Sequence, residues 1–273
     1  NAKMSARFCD GNGATLTMVN FTGADLTGSN FSWTKFSNVF MKNAIINNVN
    51  FSNVTGLLKE HIYSTKSYKT GDLTGIDFTK NDFSGANFKD KNLSNSIFAS
   101  AVLENTDFGG ANLSNSNFVS ATLKNTNFSN ANLTNAVMSL GYTTVDSTAN
   151  FTDADISGAQ IKFSKEQLYS TKSYKEKNLM GVSFIGSGNY VYDLIGWDFS
   201  SQDLTGSKFS ICYLRSASFK DAIIEGCYFK IYEPTSGSRQ GVSWSQIAST
   251  KSYKEKNLRG ITFEASNTNN SPF

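Results

Sequence analysis

The sequence predicts an all-β solenoid that carries short helical inserts. Three observations predict it. A bulky apolar residue returns at every fifth position through long stretches of the 273-residue chain. The residue two before it is usually small. The period breaks at three places into segments that resemble one another. A period of five fits neither a helix nor a strand, whose side chains repeat at 3.6 and 2.0 residues. Each five must therefore be a structural unit of its own.

The first block of centres runs from Leu16 to Phe51 and the second from Leu73 to Met138. Shorter runs cover Phe151 to Ile161 and Leu179 to Phe184. A third long block runs from Phe199 to Phe229, and Leu258 and Phe263 form a last pair. Ala24, Ala86, Ala111, Ser116 and Ala154 are typical of the small position. Asn or Asp commonly precedes the centre and Ser or Thr follows it. The fifth position reads as variable. The two apolar positions lie two apart, so a short extended segment points both to one side. The remaining residues turn the chain for the next five. Such a chain winds into coils whose backbones pair, each coil adding about 4.8 Å.

The stretches "ADLTG" at 24, "ANFKD" at 86, "ANLSN" at 111 and 131, and "ADISG" at 154 resemble the pentapeptide-repeat family, whose pattern is A(D/N)LXX. The resemblance implies a right-handed quadrilateral β-helix with four fives to a coil. Phe and Leu alternate strictly from Phe88 to Leu133. In a coil of twenty residues, Phe88, Phe108 and Phe128 would then stack on one face. Phe98 and Phe118 would stack opposite, with Leu93, Leu113 and Leu133 between. Full burial of each such side chain contributes about 1.5–3 kcal/mol. Residues 1–273 are expected to form a single solenoid.

The interruptions fall near residues 54–70, 141–149, 162–177, 185–196 and 230–256. Three align without gaps: "LLKEHIYSTKSYKTGDLTGIDF" from Leu57, "FSKEQLYSTKSYKEKNLMGVSF" from Phe163 and "VSWSQIASTKSYKEKNLRGITF" from Val242. Ser164 with Gln167, and Ser243 with Gln246, have the spacing of a capping box. A short helix is expected after each serine and a poorer one after Thr55. The chain then returns to the coil through "STKSYK". This unit, with "LIGWDFSSQDLTG" from Leu194, resembles a subclass of pentapeptide-repeat proteins found in large, often exported bacterial proteins. The stretches 141–149, 185–196 and 230–241 read as bridging loops, the usual place for function on a regular scaffold.

Several function classes are disfavoured. The chain has 22 Phe and a net charge of only +3, the reverse of a disordered composition. No apolar run reaches the length of a membrane helix. The chain opens Asn1-Ala2-Lys3-Met4 without an apolar leader, read as a removed leader or a chain boundary. An extracellular or cell-surface location is expected, a cytoplasmic one being the alternative. Cys9, Cys212 and Cys227 are odd in number and lack a CxxC spacing, so no zinc site is expected. Cys212 and Cys227 occupy the small inward position and read as buried free thiols. Cys9 reads as a structural or capping thiol. His61, the single histidine, is expected on the exposed side of the first insert helix. P-loop, GxSxG and HExxH motifs are lacking, and neither catalysis nor a cofactor is expected.

Candidate contact residues are Tyr68, Lys172, Tyr174, Lys251 and Tyr253 on the inserts, and Tyr190, Tyr192 and Trp197 around the 185–196 loop. Interleaved Lys and Tyr suit an anionic polymer. Glu60, Glu166, Glu176 and Glu255 share the same segments, however, and no Arg fork is present, so nucleic acid is not the expected partner. The expected function is a non-catalytic structural or interaction solenoid, self-associating end to end as a filament or surface layer, or as a dimer. Repeat arrays expose a pairing edge at each end, and "EASNTNNSPF" after Phe263 holds no amphipathic capping helix. Alternatives are a protein-binding module or, through the resemblance, a DNA-mimicking gyrase inhibitor. The latter calls for an acidic surface.

Overall fold

Most of the described fives are closed by a tight turn. The carbonyl of the centre accepts from the N–H three residues on: Phe21 from Ala24 (3.0 Å), Phe108 from Ala111 (3.0 Å), Leu133 from Ala136 (2.9 Å). Within the turn, the residue two after the centre has positive φ, as at Asn105 (58°), Asn125 (53°) and Asn130 (57°). That is the signature of a type II turn, which favours Gly or Asn there. The position that reads as variable is thus the most constrained one. Other L-residues lose roughly 1–2 kcal/mol in this conformation. The Asn or Asp before the centre also works in the turn. Asp82 Oδ1 accepts from Ser84 N–H (2.9 Å), and Asn117 Oδ1 from Val119 N–H (2.9 Å). Those side chains hold the turn from outside.

The computed structural model describes residues 10–138, 146–186, 190–231 and 241–265. The chain divides into two compact units, Asn1–Met138 with Asp146–Ala154, and Ser139–Val145 with Asp155–Phe273. In the first, parallel bridges join residues twenty apart, such as Asp25↔Ile45, Asn92↔Asn112 and Asn112↔Asn132. Twenty residues are four fives, so four fives complete one coil. Strands β1 (Thr15–Thr17) and β2 (Lys35–Ser37) pair in parallel with Leu16 against Phe36. The first insert lengthens one step to 27 residues, at Asn50↔Asp77.

The rings of this unit form two interlocked columns. Phe88, Phe108 and Phe128 stack at 5.4 Å, and Phe151 continues the column at 5.1 Å. Phe98 and Phe118 stack at 4.9 Å. The columns meet edge to face, with Phe108 and Phe118 at 5.8 Å and 84°. Both arrangements are favoured for aromatic pairs and add about 0.5–1.5 kcal/mol beyond area burial. Inward Ser and Thr fit because they find an acceptor. Thr106 Oγ1 donates to Phe83 O (2.9 Å) and Thr126 Oγ1 to Leu103 O (2.9 Å).

The second unit contains a parallel sheet, β3 (Ser183–Ile185), β5 (Lys208–Ser210), β7 (Tyr228–Ile231) and β8 (Thr262–Ala265), in that order. Beside it, β4 (Tyr192–Asp193) pairs with β6 (Cys212–Tyr213). The register runs Phe184↔Phe209↔Phe229↔Phe263, and these rings stack at 4.9, 5.2 and 5.7 Å.

Each insert is a pair of helices. They are α1 (Lys59–Ser64) and α2 (Lys66–Thr70), α3 (Lys165–Ser170) and α4 (Lys172–Lys175), and α5 (Trp244–Ser249) and α6 (Lys251–Lys254). "STKSYK" is therefore not an extended return. Its threonine caps the second helix, the Oγ1 of Thr65, Thr171 and Thr250 accepting from the N–H of Tyr68, Tyr174 and Tyr253. The serine that follows its first lysine takes the place of a ladder carbonyl. Ser67, Ser173 and Ser252 Oγ accept from Ile46, Ile156 and Ile224 N–H. Ser164 and Ser243 cap α3 and α5. The first helix begins at Lys59, later than Thr55 suggests, because its capping position holds Leu58 and no hydroxyl.

Asn130 tests the turn. Its side chain is exposed and its φ is 57°. Asn130→Gly should leave the urea midpoint nearly unchanged. Asn130→Val should lower stability by about 1–3 kcal/mol, the range for strained backbone.

Candidate functional site

The insert tyrosines work as clamps on the neighbouring coil. Tyr63 and Tyr68 lie 4.6 Å apart. Tyr63 Oη accepts from Asn87 N–H (2.6 Å), while Tyr68 Oη donates to Asn87 O (2.8 Å). The second insert repeats this. Tyr169 and Tyr174 stack at 4.2 Å; Tyr169 Oη accepts from Asp198 N–H (2.6 Å) and Tyr174 Oη donates to Asp198 O (2.9 Å). Each pair thus supplies the donor and acceptor that a ladder partner would have given. Lys91 lies 4.6 Å over the Tyr68 ring and Lys177 5.4 Å over Tyr174. Burial, then the paired tyrosine, pushes the Tyr68 and Tyr174 hydroxyls up, so both keep their protons.

The other candidate contact residues divide by exposure. Lys172 and Lys251 are exposed and face Glu176 and Glu255 at 4.0 Å, one turn away. Such surface pairs contribute little. Tyr190 is exposed. Tyr192 is not a surface residue: it is buried, with its hydroxyl donating to Phe163 O (2.8 Å). Trp197 is also buried, 5.8 Å from the Tyr192 ring. They stand two before Leu194 and Phe199, at the inward position, and Tyr192 pairs with Cys212 in the ladder. Residues 139–145, 187–189 and 232–240 of the bridging loops lie outside the described residues, as does Cys9.

The third insert differs from the first two. Ala248 stands where Tyr63 and Tyr169 stand, and Trp244 replaces Lys59 and Lys165. Trp244 is exposed and meets Tyr253 edge-on at 5.3 Å. Beside them lies a cleft of about 480 Å³ lined by Ala248, Tyr253, Lys254, Lys256 and Leu258. Leu258 is 37 % exposed, whereas the equivalent Leu73 and Leu179 are both at 0 %. The N–H groups of Leu73 and Gly75 donate to Asn92 O and Ser94 O, and those of Leu179 and Gly181 to Asp203 O and Thr205 O. The N–H groups of Leu258 and Gly260 meet no acceptor among the described residues. Sequence reading missed this site, although the change from Tyr to Ala at 248 signalled it.

The thiols are inert. Cys212 Sγ donates to Phe184 O (3.1 Å) and Cys227 Sγ to Leu204 O (3.0 Å), as inward hydroxyls do elsewhere. Burial pushes Cys212 up and Cys227 up to about 12, which removes the nucleophilic thiolate at neutral pH. Lys162, also buried, lies 5.5 Å over Tyr192. Among the described residues, no three His, Cys, Asp or Glu side chains are placed to hold a metal ion, and no helix is long and apolar enough to cross a membrane.

His61 does not sit on the exposed side of its helix. It is half-buried, edge-on to Phe36 at 6.3 Å, and its Nδ1 accepts from Leu58 N–H (2.9 Å). It thereby takes the capping role that Gln167 and Gln246 fill in the other inserts. Burial is the largest influence and holds its pKa below the ordinary 6.5; Glu60 and the Val39 backbone oppose it.

These contacts have measurable consequences. Tyr169→Phe leaves Asp198 N–H without its acceptor. It should cost about 1–3 kcal/mol and speed amide exchange at Asp198. For His61, the unfolded chain takes up the proton first as pH falls. Its contribution is therefore full above pH 6.5 and is lost as pH drops below that value through the lower folded pKa. The melting temperature should fall as the pH is lowered through that window, and His61→Gln should flatten the fall.

Residues 14–53 match the family described as pentapeptide repeats (8 copies), and residues 71–161 match the pentapeptide repeat region. No curated protein matches the chain. Among solved structures, HetL, a pentapeptide repeat protein involved in heterocyst differentiation regulation in the cyanobacterium Nostoc, is 19 % identical. That match covers 86 % of this chain and 91 % of HetL, with a TM-score of 0.28. A pentapeptide repeat protein of the Arabidopsis thaliana thylakoid lumen is 18 % identical over 62 % of this chain and 83 % of its own, with a TM-score of 0.25. QnrB1, a plasmid-mediated fluoroquinolone resistance protein, is 13 % identical over 96 % of this chain and 87 % of its own, with a TM-score of 0.26. With their fives, their twenty-residue register and these two family matches, residues 14–53 and 71–161 belong to the pentapeptide-repeat family.

Proposed function

We propose that the chain is a non-catalytic interaction scaffold, a right-handed four-sided solenoid with helical inserts, that associates with copies of itself end to end. The observation that carries this reading is the coil edge at Leu258 and Gly260. Its apolar centre is part-exposed and its two N–H groups meet no acceptor among the described residues. A contact between the two different ends of a coil stack is heterologous, which propagates rather than closes. The exposed Lys172, Tyr190, Lys251 and Tyr253, with the half-buried Tyr68 and Tyr174, offer further contacts along the flank.

An exported setting belongs to the same reading and draws on the likeness of the insert unit to exported bacterial proteins. A DNA-mimicking gyrase inhibitor is the weaker alternative. A duplex-like surface must be strongly acidic, while this chain carries +3 and places lysines on all three inserts. Sedimentation across a concentration series tests the reading. The chain should form progressively larger species, and Leu258→Lys should abolish them while leaving the melting temperature within a few degrees. Monomers at every concentration would refute it.

A further inference from the structure

The turn position that builds the coils also marks a surface. Among the described residues of the first unit, the residues with positive φ are Gly, Asn, Asp, Ser or Lys, with two exceptions: Met18 at 56° and Trp33 at 60°. Large apolar residues are uncommon in this conformation, and strain of this kind, where it is kept, points to function. Both side chains are exposed, Met18 at 74 % and Trp33 at 64 %. Phe40 and Leu58 follow at 56 % each, and no other large apolar side chain among the described residues of this unit exceeds Val102 at 37 %.

The register draws these four together. In the β1–β2 sheet Thr15 lies against Lys35, and Lys35 bridges Thr55 on the next coil. Met18 is three past Thr15 and Leu58 three past Thr55, so both lie off the same end of this sheet. Phe40 N–H donates to Val19 O (2.9 Å), which puts Phe40 beside Met18. Trp33 lies off the other end, two before Lys35, and Lys80 Nζ stands 5.7 Å from the centre of its ring. Between the two ends lie the exposed Thr15, Thr17, Lys35 and Thr55 and the half-buried Ser37. The strip thus has two apolar ends and a floor of hydroxyls and one ammonium, with no carboxylate on that floor. Asp82, the nearest carboxylate along the chain from Lys80, is turned to the N–H and hydroxyl of Ser84.

That chemistry suits a bilayer surface. Trp settles at headgroup level, and apolar tips enter the boundary of the acyl chains. Hydroxyls and lysines meet the phosphates, and anionic lipid attracts the lysines. A protein partner must match the outline of a surface closely, whereas lipid closes round projecting side chains. We propose that this strip of the first unit, with Met18, Trp33, Phe40 and Leu58 about Lys35, docks on an anionic lipid bilayer. The chain lies on that surface and no described helix crosses it. No residue of the Leu258 edge takes part.

Flotation with vesicles of phosphatidylcholine and phosphatidylserine tests the proposal. The native chain should float with the vesicles, and its tryptophan emission should move to the blue. The turn favours Asn at both strained positions. Met18→Asn with Trp33→Asn should therefore keep or raise the melting temperature. The same pair should remove the blue shift and weaken vesicle binding by at least about tenfold. Val102→Ser should bind as the native chain does. A native chain that stays at the bottom of the gradient would overturn the proposal and leave the strip to a protein partner. Native-strength binding by the double variant would overturn it too, because the lipid contact would then lie elsewhere.

Discussion

The structure depends on one backbone constraint, the left-handed residue two positions after each centre. With that residue at φ near +55 to +70°, the chain turns after each five without losing the direction of its inward side chains. Four such turns return the backbone to a register of twenty. The ladder, the ring columns and the inward hydroxyls all follow from that return. Sequence economy explains the composition. Asn and Gly recur because the turn favours them, and Asn or Asp recurs before the centre because its side chain braces the same turn.

The inserts show what happens when the regular run of fives is interrupted. The lengthened step at Asn50↔Asp77 holds two short helices, and their side chains replace the lost ladder groups one by one. A serine hydroxyl replaces a carbonyl at Ile46, Ile156 and Ile224. Two phenols replace a donor and an acceptor at Asn87 and Asp198. Buried backbone groups must find partners, so these residues serve the scaffold first. That is why Tyr68 and Tyr174 are tied to the coil rather than free for a ligand.

Much of this is legible in the sequence. The centres and the small inward position follow from spacing, and the Phe88–Phe108–Phe128 column from the spacing together with the four fives to a coil that the family resemblance implies. The role of the fifth position is visible as Asn and Gly but is hidden by exceptions such as Met18, Trp33 and Lys80, which adopt the same φ. Tyr192 and Trp197 escape a sequence reading because large aromatic rings stand at the inward position that small residues fill elsewhere. His61 escapes it for a similar reason: the ring that covers it, Phe36, lies in the preceding coil. That Leu258 N–H meets no acceptor among the described residues emerges only once the partners of Leu73 and Leu179 are known, because all three leucines look alike in sequence.

The proposed end-to-end association turns on two amides. Leu258 and Gly260 occupy positions whose equivalents are paired in both earlier copies. Hydrogen exchange at these two amides, followed from dilute to concentrated solution, tests the central claim most directly. The account predicts exchange near the unprotected rate when dilute and strong protection when concentrated, with Leu73 and Leu179 protected throughout. Exchange at Leu258 and Gly260 that is independent of concentration would contradict it.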